Sequence, residues 1–223
     1  TYSVMKDTVL AAIPFFLFMG FLLEQSGIME RLFTGIQQLL ARLNGSLYLA
    51  VLITATIFAA ATGIVGSSVT LLGVMAGPSM IRSGYDAKMS AGAITAGGTL
   101  GILIPPSVML IVMGPVVGVP ATDLFAAAVL PGLMLSGIFI VWTLVRCWMN
   151  PALGPALPPE LRPKSLAPVL LDLAIGVLPV ITVIMATLGV ILFGIATPTD
   201  AGAIGCAATF VLTMGSGRMS WAK

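Results

Sequence analysis

The chain has no histidine, only 8% charged residues and only two cysteines among its 223 residues. Without an imidazole there is no haem axial histidine, no common zinc-ligand set, no Ser-His protease and no rhomboid-type dyad, which removes most intramembrane enzyme chemistry. Cys147 and Cys206 lie far apart with no metal-ligand spacing and read as packing residues. An ordinary soluble domain carries roughly 25% charged residues. A chain this poor in charge, and 58% hydrophobic, belongs in a lipid bilayer. Its net charge of +2 is too small and too scattered to recruit nucleic acid.

What the chain does have is apolar length. Stretches free of Asp, Glu, Lys and Arg run over 43–81, 89–122, 124–145, 173–199 and 201–217. Each approaches or exceeds the roughly 20 residues that a spanning helix needs. One of them cannot stay helical: Thr95-Ala-Gly-Gly-Thr-Leu-Gly-Ile-Leu-Ile-Pro-Pro-Ser107. Pro105 and Pro106 donate no amide proton and obstruct the preceding turn, while Gly97, Gly98 and Gly101 each cost about 1 kcal/mol in a helix interior. Unwound backbone at membrane depth is tolerated only where protein buries it or it lines a cavity, and broken helices of this kind hold ions and substrates in secondary transporters.

Residues 47–61 make a helix only about 22 Å long at 1.5 Å per residue, short of the roughly 30 Å hydrocarbon core. Thr62-Gly-Ile-Val-Gly-Ser-Ser68 interrupts it, and a second short segment follows to Ile81. This pattern describes a re-entrant hairpin; two tilted full spans with an ordinary turn are the alternative, although such a turn usually carries charge and this one has none. Ile28, Leu32, Ile36, Leu39 and Leu43 share one helical face, with Glu30, Arg31, Thr34, Gln37, Gln38 and Arg42 elsewhere. That is an amphipathic arm lying in the interface or packed against another subunit. Asp123 sits where a helix should start and is expected to cap it. Asp172 is expected at the interface rather than in a proton relay.

Counting crossings puts Arg42, Arg82, Lys88, Arg146, Arg162, Lys164 and Arg218 on one side and Asp123 and Asp200 on the other, with Lys6, beside Asp7, as the exception. The basic side is the cytoplasmic one. With so few charges in the membrane, an ion or anion site must be built from carbonyls, hydroxyls and helix ends. The hydroxyls on offer are Ser67 and Ser68 at the hairpin tip and Thr99 and Ser107 at the break. Each also has a plain structural use, satisfying helix backbone or letting helices pack closely.

Several blocks then carry a resemblance. They are Ile13-Pro-Phe-Phe16 with Gly20 and Ser26-Gly27, Pro78-Ser-Met80 with Gly84-Tyr-Asp86, Gly97 through Ser107, Leu124-Phe125 with Leu130-Pro-Gly132, and Thr197-Pro-Thr-Asp-Ala-Gly-Ala203 onward to Gly205. In order and spacing the chain resembles the large membrane subunit of tripartite ATP-independent periplasmic (TRAP) transporters over nearly its whole length. The resemblance implies an all-α integral membrane protein of the bacterial inner membrane: a multi-span helical transporter with a re-entrant hairpin and a discontinuous helix, the first part of an inverted-repeat elevator fold. It implies sodium-coupled import of an organic acid, no further cofactor, a periplasmic substrate-binding protein and a small membrane subunit of the Q type as partners. The sodium ion is then expected mainly on backbone oxygens of Gly63, Val65, Gly66, Ser67, Thr99 and Gly101. The substrate is expected at Ser67, Ser68, Thr99, Pro105, Pro106 and Ser107.

The sequence departs from that family in two places. The tip usually written Gly-Ser-Ser falls on Gly63-Ile64-Val65, with the hydroxyls displaced to Ser67 and Ser68, which points away from sialic acid or a C4-dicarboxylate. The Thr-Gly-Ile-Val-Gly pattern resembles the subgroup labelled for mannitol or chloroaromatic compounds, linked to 2-oxo acids and other monocarboxylates. The chain also starts in what would be the fourth helix and stops before a second hairpin and break, so a fragment that does not transport alone is expected. Its organisation reads as a first-repeat transport region over 1–149 (arm 28–43, hairpin 47–81, broken helix 89–119, helix 124–148), a cytoplasmic linker over 150–165, and the start of a second repeat over 166–223. A membrane scaffold or assembly subunit without a transport site is the competing function. An intramembrane enzyme built on Tyr85-Asp86 would lack a second acid at suitable depth.

Overall fold

The computed structural model describes residues 8–157, 162, 163 and 165–215. Among these the secondary structure is helical throughout. α1 is Ala12–Gln25, α2 Ile28–Leu39, α3 Ser46–Thr62, α4 Gly66–Arg82, α5 Ala87–Thr99, α6 Val108–Val117, α7 Ala121–Met149, α8 Leu166–Ile184 and α9 Pro198–Gly215. A π-helical turn, Met185–Gly189, continues α8 into a last turn at Val190–Leu192. Lys6, Asp7, Lys164 and Arg218, used above to orient the chain, lie outside the described residues.

Most apolar stretches do not form single spans, because glycine, proline and serine interrupt them. Ala121–Met149 and Ala167–Leu192 are each long and apolar enough to cross a membrane, and Val9–Gln25 with Ile28–Leu39 makes a third if that pair, bent by 57°, is taken as one. Ser26 and Gly27 create the bend. The Ser26 hydroxyl donates to the Leu23 carbonyl at 2.5 Å and accepts from the Ile28 amide at 3.2 Å, closing one helix and opening the next. Gly27 supplies the positive φ of 68° between them.

The arm is amphipathic as its periodicity predicts, but shorter, ending at Leu39 rather than 43. Ile28, Leu32 and Ile36 of its apolar face are buried, and the arm packs on α3 and α8 of the same chain, whereas Leu39 and Leu43 stay exposed. Two glycines make that approach possible: a methyl at Gly35 would lie 3.2 Å from Leu173, and one at Gly176 would lie 3.3 Å from Leu32. α3 is the central post. Thirteen of its 17 residues are buried, so it packs on protein on every side, whereas α7 turns Leu130, Met134, Ile138 and Val141 outward as a lipid-facing stripe. Asp123 does not cap α7. The helix begins earlier, after Pro120, which leaves Asp123 in the first turn to act through the helix dipole alone. At the start of α9 the Asp200 amide donates to the Thr197 hydroxyl at 3.3 Å, with Pro198 between them.

One end of the molecule is tied by a polar clasp. The Tyr48 hydroxyl donates to the Leu153 carbonyl at 2.7 Å, the Gly45 amide to the Gly154 carbonyl at 2.8 Å and the Asp86 amide to the Leu153 carbonyl at 3.0 Å. The Leu47 amide donates to the Tyr85 hydroxyl at 3.2 Å. Burial pushes the Tyr85 phenol above its ordinary value, with hydrogen bonds from Ser46 and the Leu47 amide opposing it, so the clasp keeps its proton at neutral pH. Cys147 packs here against Gly45. The clasp gathers the segments carrying Arg42, Arg82, Lys88 and Arg146 at one end, which is the grouping the positive-inside rule needs. Cysteines placed beside Asp123 and Asp200 should therefore label from the periplasm, and one beside Lys88 only after permeabilisation. The reverse pattern would refute this orientation.

Candidate functional site

α3 and α4 form a hairpin whose tip is Gly63-Ile64-Val65. Gly63 ends α3 at φ 63° and ψ 16°, a left-handed conformation that suits glycine. α5 stops at Thr99, passes through a 3₁₀ turn at Leu100–Ile102, and the chain resumes as α6 only at Val108. Leu103 to Ser107 are non-helical between them, as the double proline predicts.

Hairpin tip and helix break meet. A methyl on Gly63 would overlap the Pro106 carbonyl oxygen and come within 3.1 Å of Ser107 Cα. On the same seam, a methyl on Gly101 would lie 3.2 Å from the Ile64 carbonyl oxygen, and one on Gly98 would lie 3.0 Å from Val69 Cα. α1 closes the other side, where a methyl on Gly20 would come within 2.7 Å of the Ile64 side chain. The tip is thus held between α1, where Gly20 admits the Ile64 side chain, and the break, where Gly63 and Gly101 permit backbone-to-backbone approach. Non-helical backbone from two segments faces itself inside an apolar protein. That arrangement can present carbonyl oxygens to a hard cation and helix N-termini to an anion.

The residues expected at the site divide into two groups. Gly63, Gly101, Pro106 and Ser107 come together at the seam. Gly66 stands in open space, with nothing within 4 Å of where its side chain would be, and Thr99 is exposed and returns its hydroxyl to the Ala96 carbonyl at 2.8 Å. Three of the four hydroxyls donate locally: besides Thr99, Ser68 gives its proton to the Ile64 carbonyl at 2.7 Å and Ser107 to the Ile102 carbonyl at 2.7 Å. Val65 sits at the start of α4 with no side-chain cap. Pro105 is buried beside Pro106 within the break.

Ser67 differs from the other three. Its Oγ is buried and has no hydrogen-bond partner. Alongside it lies the Glu24 carboxylate of α1, whose Oε1 is likewise buried; Ser67 is close enough to act on that carboxylate as a hydrogen-bonding neighbour, although full hydrogen-bond geometry is not met. Glu24 is not among the residues that the sequence pattern singles out. The signal was available, because Glu24 follows Gly20 by one helical turn and Gly20 faces the tip. Together Glu24 and Ser67 set a carboxylate and a hydroxyl against each other in a buried position beside the tip. Among the described residues no group of three or more His, Cys, Asp or Glu is arranged for a transition metal, so the available donors are oxygens that suit a hard ion.

The sequence profile of the family described as "Tripartite ATP-independent periplasmic transporter, DctM component" matches residues 1–223. The chain is 32% identical over 219 residues to the C4-dicarboxylate TRAP transporter large permease protein DctM of Rhodobacter capsulatus, covering 91% of this chain and 48% of that protein. It is 29% identical over 210 residues to the 2,3-diketo-L-gulonate TRAP transporter large permease protein YiaN of Escherichia coli, covering 92% of this chain and 47% of the relative. It is 30% identical over 198 residues to the isethionate TRAP transporter permease protein DctMQ of Oleidesulfovibrio alaskensis, covering 86% of this chain and 29% of the relative. The chain spans less than half the length of each of these three relatives.

Proposed function

Since the chain belongs to the DctM component family of tripartite ATP-independent periplasmic transporters, a family of transporters and not of enzymes, we propose that it forms the first half of the substrate pathway of a sodium-coupled importer of organic acids in the bacterial inner membrane. The observation that carries this reading is the seam where Gly63 of the hairpin tip meets Pro106 of the helix break. The sodium ion sits at the tip, on backbone oxygens around Gly63 to Ser67 and Gly101, with Glu24 supplying the negative charge. The substrate carboxylate sits beside it at the break. A periplasmic binding protein delivers the substrate, and a small Q-type membrane subunit completes the assembly.

An elevator movement fits the way the parts are tied. The clasp joins the base of the hairpin to the end of α7, and a methyl on Gly132 would lie 3.4 Å from the backbone of Ile104 in the break. Hairpin, break and α7 therefore move as one body, together with α1 where it meets the tip at Gly20 and Glu24.

Substrate choice follows from the donors. Ile64 and Val65 at the tip offer no hydroxyl, and Ser68, Thr99 and Ser107 spend theirs on local carbonyls. A doubly charged or polyhydroxylated ligand leaves polar groups unpaired at about 1–3 kcal/mol each, roughly tenfold to hundredfold in affinity per group. Monocarboxylates, 2-oxo acids among them, are favoured. The test uses the complete three-part system in proteoliposomes, comparing a 2-oxo monocarboxylate with succinate and sialic acid, with and without an inward sodium gradient. We expect the monocarboxylate to enter fastest and only with the gradient. Faster entry of succinate or sialic acid would overturn the selectivity, and undiminished entry without sodium would overturn the coupling.

A further inference from the structure

A groove of about 300 Å³ opens between α5 and α7 over α3, where Leu52, Gly92, Ala96, Phe139, Trp142 and Thr143 are among its walls. It offers a ligand little polar partnership, because no charged residue lines it and the Thr143 hydroxyl is spent on the Phe139 carbonyl at 2.7 Å. The α5 wall leaves room, since nothing lies within 4 Å of where a Gly92 side chain would be. Two cations stand over one end. Residues four apart on a helix share a face, one turn from each other. Lys88 therefore stands over Gly92 at the start of α5, and Arg146 stands over Trp142 near the end of α7, with its guanidinium carbon 5.8 Å from the centre of the Trp142 ring. Both basic side chains are exposed, and among the described residues no carboxylate pairs with either. Asp86, the acid nearest to Lys88 in the chain, has its Oδ1 on the Met89 amide at 2.8 Å as the cap of α5. A basic mouth over an apolar groove, with a tryptophan at the boundary, is the chemistry that recognises an anionic headgroup and its acyl chains.

We propose that this groove seats one anionic phospholipid of the phosphatidylglycerol type, from the leaflet at the clasp end of the molecule. Its phosphate sits between Lys88 and Arg146 and takes charge-assisted hydrogen bonds from both. One acyl chain enters the groove along Gly92 and Ala96. Trp142 also borders the outward face of α7 formed by Ile138, Val141 and Val145, and the second chain follows that face. A zwitterionic lipid would bring an ammonium back to a mouth that already holds two cations and has no acid in its lining, so phosphatidylethanolamine and phosphatidylcholine are disfavoured. Lipid seated here ties α5 to α7 within the body that carries the tip and the break.

The experiment uses the intact permease with its membrane partner in nanodiscs of equal phosphatidylglycerol, phosphatidylethanolamine and phosphatidylcholine, with retained lipid counted by native mass spectrometry after stepwise detergent stripping. One phosphatidylglycerol should be retained about tenfold over either competitor, a difference readily resolved as a ratio of bound populations. Lys88→Gln combined with Arg146→Gln should lose that preference, whereas Lys88→Arg combined with Arg146→Lys, which keeps both charges, should preserve it. Gly92→Leu places a side chain in open space, so the protein should fold while the filled groove retains less phosphatidylglycerol. Equal retention of the three lipids by the unaltered protein would overturn the proposal, as would a preference that survives loss of both charges or retention that Gly92→Leu leaves unmoved. A groove covered by another helix of the permease would retain no lipid at all, and that result also overturns it. Uptake is not the readout, so the outcome is independent of the proposed transport function.

Discussion

Gly63→Ala should abolish uptake while leaving the protein inserted in the membrane. The substitution meets two separate penalties. A left-handed conformation costs a non-glycine residue about 1–2 kcal/mol, and the added methyl would overlap the Pro106 carbonyl oxygen, a backbone atom that cannot rotate away as a side chain would. Overpacking of this kind costs typically about 1–3 kcal/mol more, so thermal unfolding in detergent should report a loss of about 3 kcal/mol or a tip displaced from the break. The internal control is three residues away. Gly66 opens α4, has no positive φ and has nothing within 4 Å of its side-chain position, so Gly66→Ala should be neutral or slightly stabilising. Equal behaviour of the two variants would show that the tip–break seam is not the element on which transport depends.

Glu24→Gln should raise the sodium concentration needed for half-maximal uptake by about tenfold to hundredfold, the loss expected when about 1.5–3 kcal/mol of charge-assisted contact is removed. The Glu24 Oε1 and the Ser67 Oγ beside it are both buried, with no other partner for either. A carboxylate in such surroundings is costly unless a cation or a proton completes it. Glutamine keeps the shape and removes the charge, so insertion and folding should persist. Ser67→Ala, which removes one neutral oxygen, should move the sodium response in the same direction by less. An unchanged sodium response in Glu24→Gln would mean that the carboxylate carries a proton or only a structural role, and the ion would then have to be held by backbone oxygens alone.

Much of the candidate site was legible as sequence. Pro105 and Pro106 lack the amide protons that a helix needs, so the break had to fall where it does, and the glycines before it announced a close backbone approach. The hairpin was legible from helix length and from the uncharged Gly-Ser-Thr tip. The arm's face was legible from its 3.6-residue period, although its covering was not, because a period shows that a face is buried without showing what buries it. The hydroxyls misled for a related reason. Ser68, Thr99 and Ser107 look alike as candidate ligands in the sequence, yet each lies within five residues of a free carbonyl and donates to it, whereas Ser67 does not.

By itself the sequence determined the class of the protein: a bilayer-embedded helical chain without histidine chemistry and with a helix broken at Pro105-Pro106. These are consequences of composition, period and local backbone chemistry, which act over a few residues and need no partner. Only the tertiary structure decided that Gly63 meets Pro106, that Gly20 brings α1 against the tip, and that Glu24 stands beside Ser67, 43 positions later in the chain. Contacts of that kind depend on which helix faces pack together, and packing is set by the summed shape of many side chains rather than by any motif.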